Sequence, residues 1–260
     1  MNFRVRLRKL ISYRSTLWNM SIRQLKTKYS GSMLGIWWAI IIPLILAISI
    51  NFIFISIAKV GIENFWLFVL SGILPWLFFS SSLFEASYSF IVSSSILRQT
   101  TLPRELIPIS SIVANFLNFI IGFLFLLPLF IISNVKVIKF LPFLLMVLLF
   151  HFFFLVGLGI FFSSMNVFFR DLLHLLPIGL MLWFWITPIF YSLDMLSFPY
   201  RWICLINPLT YYVISYQNIL FEGTSPSLLT MFISFLISIF FFITGYIFFL
   251  KKEPMLLKRI

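Results

Sequence analysis

Apolar residues in this chain come in six continuous runs, at about 34–58, 65–84, 106–133, 140–163, 172–192 and 228–250, separated by short polar or proline-containing segments. Each run reaches roughly 20 residues, the length at which a helix crosses the hydrocarbon core of a bilayer. Barrel strands are excluded, because the runs do not alternate and are about twice as long as a membrane strand needs to be. The pattern predicts an all-α membrane protein with six transmembrane helices. Between the last two runs, residues 193–227 are irregular, with Asp194, Pro199, Arg201, Asn207, Pro208 and Glu222 set among aromatic clusters. Their best apolar piece, LTYYVISYQNILF at 209–221, is too short to cross, so re-entrant or interfacial helices are expected there.

The segment ahead of the first run is different in kind. Residues 1–33 carry eight Lys/Arg and no acid. Within 14–29, Leu17, Trp18, Ile22, Leu25 and Tyr29 recur at helical spacing, while Arg23, Lys26 and Lys28 fall mostly elsewhere. This predicts a basic amphipathic helix in the inner headgroup plane. Charge also orients the spans. With the N-terminus inside, 15 of the 19 Lys/Arg fall on the cytoplasmic side and only Lys59, Lys136, Lys139 and Arg201 fall outside. The positive-inside rule then puts both termini in the cytoplasm. The chain divides into a basic segment (1–33), a six-span domain (34–250) and a basic tail (251–260).

Composition removes the soluble alternatives. The chain is 62% hydrophobic and 10% charged over 260 residues, too little charge to clothe a water-soluble domain. The net charge of +12 sits beside spans, which points to anionic headgroups and topology rather than to nucleic acid. A single cysteine, Cys204, rules out an internal disulfide and a cysteine metal site. The basic region and the apolar run behind it are too long for a cleaved signal peptide, so the first span is expected to remain as an anchor. No long-period repeat is visible.

Catalytic constellations are scarce. There are seven acids and two histidines, with no metal-ligand spacing and no glycine-rich loop ending in Lys-Ser/Thr. Arg170, Asp171 and His174 gather at the start of the fifth run, as an anchored helix start or as part of a site. His151 falls near the centre of the fourth run, as a relay group or as a core histidine satisfied by one hydrogen bond. Gly31, Gly35 and Ala39 recur every four residues, and Gly157 and Gly159 lie in the fourth run; Gly35 and Ala39 in particular are candidates for close helix packing or a subunit interface. In SYSFIVSSSILRQTTLPREL, Ile91, Ile96 and Leu97 could face one side of a short helix before Arg98, Pro103 and Arg104, giving either a docking element or a solvated connector.

Five segments in order, YSGSMLGIWWAIIIP, SGILPWLFFSSSL, SSSILRQTTLPRELIP, FRDLLHLLPIGLMLWFWITPIFY and INPLTYYV, resemble the membrane permease subunit of polysaccharide-exporting ABC transporters. That family moves O-antigen, capsule or teichoic-acid chains, and the likeness runs from about Arg23 to Tyr212. Gly31 departs from the bulkier polar residue expected before Ser32.

The resemblance implies a homodimer of permease subunits in the bacterial cytoplasmic (inner) membrane, docked to two ATP-binding-cassette subunits, with a lipid-linked polysaccharide as substrate. No cofactor is expected on this chain, with ATP and Mg on the partner subunit. Ile96, Leu97, Arg98, Gln99, Pro103 and Arg104 match the region coupled to the ATPase, and Pro188, Tyr191, Asn207, Pro208 and Tyr211 match an outer gate. Aromatic rings stack on sugar faces without needing charge, so Trp37, Trp38, Trp76, Phe79, Tyr88, Trp183 and Trp185 are candidates to line the substrate path. Export of a drug, peptide or other lipid is the alternative. An integral-membrane glycosyl- or acyltransferase using Asp171 or His174 is a third reading.

Overall fold

The computed structural model describes residues 3–56, 61–99 and 102–259, and every long element is helical. Two helices form the N-terminal arm, α1 (Phe3–Ser12) and α2 (Arg14–Tyr29). A 3₁₀ turn at Gly35–Trp37 leads into α3 (Trp38–Ser56). The chain continues through α4 (Phe65–Val92), α5 (Ser94–Gln99), α6 (Leu106–Ser133), α7 (Val137–Phe168) and α8 (Leu172–Ile186). It ends with α9 (Tyr200–Ile206), α10 (Pro208–Gln217) and α11 (Leu228–Arg259).

Five of these helices are long and apolar enough to cross a membrane. The fifth expected span, 172–192, gives a shorter helix. α8 has 15 residues, about 22 Å at 1.5 Å per residue, and stops at Ile186. The cause is Pro188: the residue before a proline is pushed out of the helical region, and Thr187 is extended at φ −83°, ψ 132°. Other helices overrun their apolar runs. α4 continues to Val92, and α11 continues through the basic tail to Arg259, so 251–259 is an extension of a span and not a separate segment. The last two residues of the expected first span, 57 and 58, lie outside the described residues. Residues 208–222 form α10 and one π-helical turn.

α4 is the central pillar, buried along most of its length and packed against α3, α6, α7, α8 and α10. α7 pairs with α11 in the most extensive helix contact of the fold. Small residues let these helices approach. A Cβ built on Gly245 would lie 2.1 Å from the Gly157 carbonyl oxygen, and one on Gly157 would lie 2.3 Å from that of Phe241. α3 meets α6 similarly, with a Cβ on Gly122 reaching 2.5 Å from the Ala39 carbonyl oxygen. Such backbone contact suits a solvent of lipid tails, where packing rather than water exclusion holds helices together. Large apolar side chains such as Ile45, Phe52, Ile178, Met181, Phe232 and Phe240 face outward from α3, α8 and α11.

Gly245→Val places branched carbons against backbone and is expected to cost about 1–3 kcal/mol or more. Gly179→Ala, where a Cβ meets open space, is expected to be close to neutral. Thermal unfolding of the two variants in detergent checks the contrast.

Candidate functional site

At the end of the fold that carries the N-terminal arm, four charged side chains join three distant parts of the chain. Arg6 of α1 donates from Nε to Glu105 Oε1 (2.6 Å) and from Nη2 to Glu105 Oε2 (2.9 Å). Its remaining Nη1 donates to Glu253 Oε2 near the end of α11 (2.7 Å). Arg104 donates to the Glu253 backbone carbonyl (2.8 Å) and stands 3.8 Å from its carboxylate. The Arg6 guanidinium also lies over the Phe249 ring at 5.3 Å. Glu105 is completely buried, so its charge requires this bidentate partner. The Glu105 hydrogen bond, with Glu253 adding to it and burial opposing, raises the Arg6 pKa further above its already high ordinary value.

This clasp holds the loop singled out in the sequence. Leu97 is buried in the core under α5 and Pro103 is buried beside Glu105, while Arg98 and Gln99 are exposed. Arg104 is half-buried in the clasp, and the Ile96 side chain lies outside the described residues. Among the described side chains of the set, Arg98 and Gln99 are therefore the exposed ones. Sequence reading passed over Arg6, Glu105 and Glu253. The signal was available: Glu105 and Glu253 are lone acids inside basic segments, where an acid calls for an arginine.

Helix α2 packs on α6, and polar side chains carry hydrogen bonds across the contact. Gln24 donates to Ser110 Oγ (3.0 Å), and the Tyr29 hydroxyl bonds Asn118 Oδ1. Lys28 Nζ donates to Glu85 Oε1 (2.9 Å) and to Asn115 Oδ1 (2.7 Å), and Asn115 Nδ2 donates to Glu85 Oε2 (2.6 Å). Of the expected apolar stripe Leu25 is buried, Leu17, Ile22 and Tyr29 are half-buried, and Trp18 points outward at 52% exposure. The stripe and the packed face overlap at Leu25 and Tyr29, and the α6 surface adds polar partners. Burial raises the Tyr29 pKa.

Two cavities adjoin the Lys28 cluster. One, of about 350 Å³, lies between α3, α4 and α6. The other, of about 580 Å³, lies between α2 and the inner part of α4. Gly35 meets nothing within 4 Å within this chain, and its φ of +52°, like the +78° of Gly31, is a left-handed turn conformation in the connection to α3. Ala39 does pack closely, against Gly122.

The aromatic candidates separate by burial. Trp76 and Phe79 are enclosed in the core, where Trp76 packs on Phe184 and Phe79 on Trp183, so in this conformation they present no surface to a substrate. Trp183 is half-buried and donates to Asn207 Oδ1 (2.7 Å). Trp37 and Trp185 are exposed. Trp38 donates to Ser32 Oγ (3.0 Å) beside the first cavity, and Tyr88 lines the second. His151 is fully buried against the Phe78 and Tyr212 rings. Asp171 and His174 are exposed at the start of α8.

The outer candidates form a fastening. Asn207 accepts from Trp183 and from its own turn at Leu209 N (3.0 Å), and donates to Thr187 Oγ1 (2.9 Å). The Tyr191 hydroxyl donates to the Ile186 carbonyl (2.9 Å), and that of Tyr211 to the Leu205 carbonyl (2.9 Å). Pro188 is buried, its carbonyl accepting from Gln217 Nε2 (2.9 Å), and Pro208 opens α10. Tyr191 thereby satisfies a carbonyl left open at the end of α8, and Tyr211 one near the end of α9.

Residues 15–221 match the ABC-2 type transporter family, and the chain belongs to that family. Two proteins of Klebsiella pneumoniae, each named O-antigen export system permease protein RfbA, are similar to it. Both are 33% identical, one over 78% of this chain and the other over 77%, in each case over 78% of the relative. A protein of the same name from Myxococcus xanthus is 30% identical over 85% of both chains. Membership and the apolar helices make this a multi-pass inner-membrane transport protein.

Removing one partner of the clasp leaves a buried charge uncompensated. Arg6→Met is expected to destabilise the chain by about 3–5 kcal/mol, with Arg6→Glu at least as damaging. Denaturation in detergent, followed by proteolysis of the N-terminal arm, measures it.

Proposed function

We propose that this ABC-2 family member is the permease of an ATP-driven exporter that carries a lipid-linked polysaccharide, of O-antigen, capsule or teichoic-acid type, across the bacterial cytoplasmic membrane. The observation that carries the reading is the extent of similarity to proteins named O-antigen export permeases, 77–85% of this chain at 30–33% identity. Two copies of the chain would enclose the path, and two separate subunits would bind ATP and Mg. α8 with the extended segment after it serves as the sixth span, and both termini lie on the cytoplasmic side, as the distribution of basic residues favours.

The geometry supports a route for coupling. An ATPase pressing on α5 at Arg98 and Gln99 moves a loop whose far end, Arg104 and Glu105, is fixed to α1 and α11. α11 lies along α7 with glycine backbones in contact, so the push passes into packed helices that shift as bodies. Trp37 and Trp185, which are exposed, and Tyr88, which lines the second cavity, would be the aromatic rings that meet a sugar chain, with Asn207 at the outer end of α8.

The test is assembly and export together. Coexpressed with its ATP-binding partner, the chain is expected to co-purify with it and to restore polymer export in a permease-deletion strain. Arg98→Glu and Gln99→Glu are expected to reduce both several-fold while leaving folding intact. Export of drugs or peptides without polymer would overturn the reading, and unchanged assembly in both variants would overturn the coupling assignment.

A further inference from the structure

We propose that the groove between α3, α4 and α6 binds a phosphate-headed lipid, with the Lys28 ammonium as the phosphate ligand and Glu85 as the group that occupies Lys28 while the groove is empty. The inference rests on the export reading and identifies where the lipid end of the substrate is received.

The groove is amphipathic along its length. Its apolar part is walled by Ile42, Pro43, Leu74, Leu77, Phe78 and Phe119. Its polar end holds Lys28, Tyr29, Ser32, Asn115 and Asn118. A volume of about 350 Å³ falls in the range of ligand pockets. A neutral sugar leaves the ammonium without a counter-charge, and a polar peptide leaves the apolar wall without a partner. An alkyl or prenyl chain ending in a phosphate uses both parts.

Depth agrees with this occupant. Glu85 directly follows the apolar run 65–84, so the Lys28 cluster stands where that run gives way to polar residues. The apolar walls extend from there toward the middle of α4. α3, the other wall, is largely exposed and joins α2 through two left-handed glycines, Gly31 and Gly35.

The Lys28 cluster is arranged for exchange. Lys28 and Glu85 side chains are 31% and 38% exposed, so water screens their attraction and the pair is weak. A phosphate offers more charge and more acceptor oxygens than a carboxylate. Displaced Glu85 keeps a partner, because Asn115 Nδ2 already donates to its Oε2 at 2.6 Å. The second cavity shares Lys28 and Glu85 and is also lined by Arg23, Gln24 and Tyr88, so it adjoins the groove at the exchanging pair and is where the attached sugars would lie.

The experiment measures binding of a fluorescent polyprenyl phosphate to the full-length chain in phosphatidylcholine nanodiscs. Lys28→Gln is expected to weaken binding about tenfold, the loss of one charge-assisted contact, and Lys28→Arg to retain most of it. Glu85→Gln is expected to tighten binding several-fold by removing the competing carboxylate. The opposite signs separate a ligand exchange from a structural salt bridge. If Lys28→Gln and Glu85→Gln weaken binding alike, or neither changes it, the proposal is wrong. Phosphatidylglycerol added at equal mole fraction identifies the source. Weak competition supports the polyprenyl end of the substrate, and full competition supports a bilayer phospholipid in the same site. Polymer export in cells is read independently: export with binding indifferent to Lys28→Gln removes this site alone, and the expected binding pattern without export removes the polysaccharide reading alone.

Discussion

A carboxylate cannot stay charged out of water without a partner, and Glu105 is fully buried. That constraint determines the arrangement of one end of the molecule. Only a guanidinium offers two parallel donors and a third on another side, and Arg6 uses all of them, two on Glu105 and one on Glu253. The first helix, the start of α6 and the end of α11 are thereby joined, although they are separated by 99 and 247 residues in sequence. The loop carrying α5 is attached to the same knot through Arg104. A force applied to this face reaches three helices at once.

Away from that face, the fold depends on close backbone approach more than on charge. Gly157 with Gly245 and Gly122 with Ala39 bring α7 to α11 and α3 to α6. Lipid tails are as apolar as leucine, so burying a larger side chain would gain little there, whereas dispersion contacts between backbones are gained only at short range. The result is an extensive pair, α7 and α11, beside a pillar, α4, with α3 on the outside, packed on α4 and α6 but largely exposed on its other sides. That outer helix is one of those bordering the Lys28 groove.

Much of this was legible in the chain. The apolar runs located five long helices and the fifth, shorter one; the short helix expected around Ile91, Ile96 and Leu97 forms at Ser94–Gln99, with Ile91 in α4 instead. Pro188 already carried the reason for the early end of α8, since a residue before proline leaves the helix. Tyr191, Asn207 and Tyr211 each make local hydrogen bonds, to the Ile186 carbonyl, the Thr187 hydroxyl and the Leu205 carbonyl. The aromatic list divided: Trp76 and Phe79 have the same residue chemistry as Trp37 and Trp185, and only their position around the pillar hides them.

The sequence by itself determined the solvent, the class of fold and the side on which charge collects, because those follow from the length and order of apolar and basic runs. It could not assign partners to charges. Arg6 is one of eight basic residues in the first 33, and nothing local distinguishes it from Arg4 or Arg8. Pairing depends on which helix ends meet, a property of packing over the whole chain. The same holds for α2, whose apolar spacing marked a stripe but gave no sign that Ser110, Asn115 and Asn118 on α6 would bond Gln24, Lys28 and Tyr29. Periodicity reports what a helix can bury; only the tertiary structure decided what it was buried against.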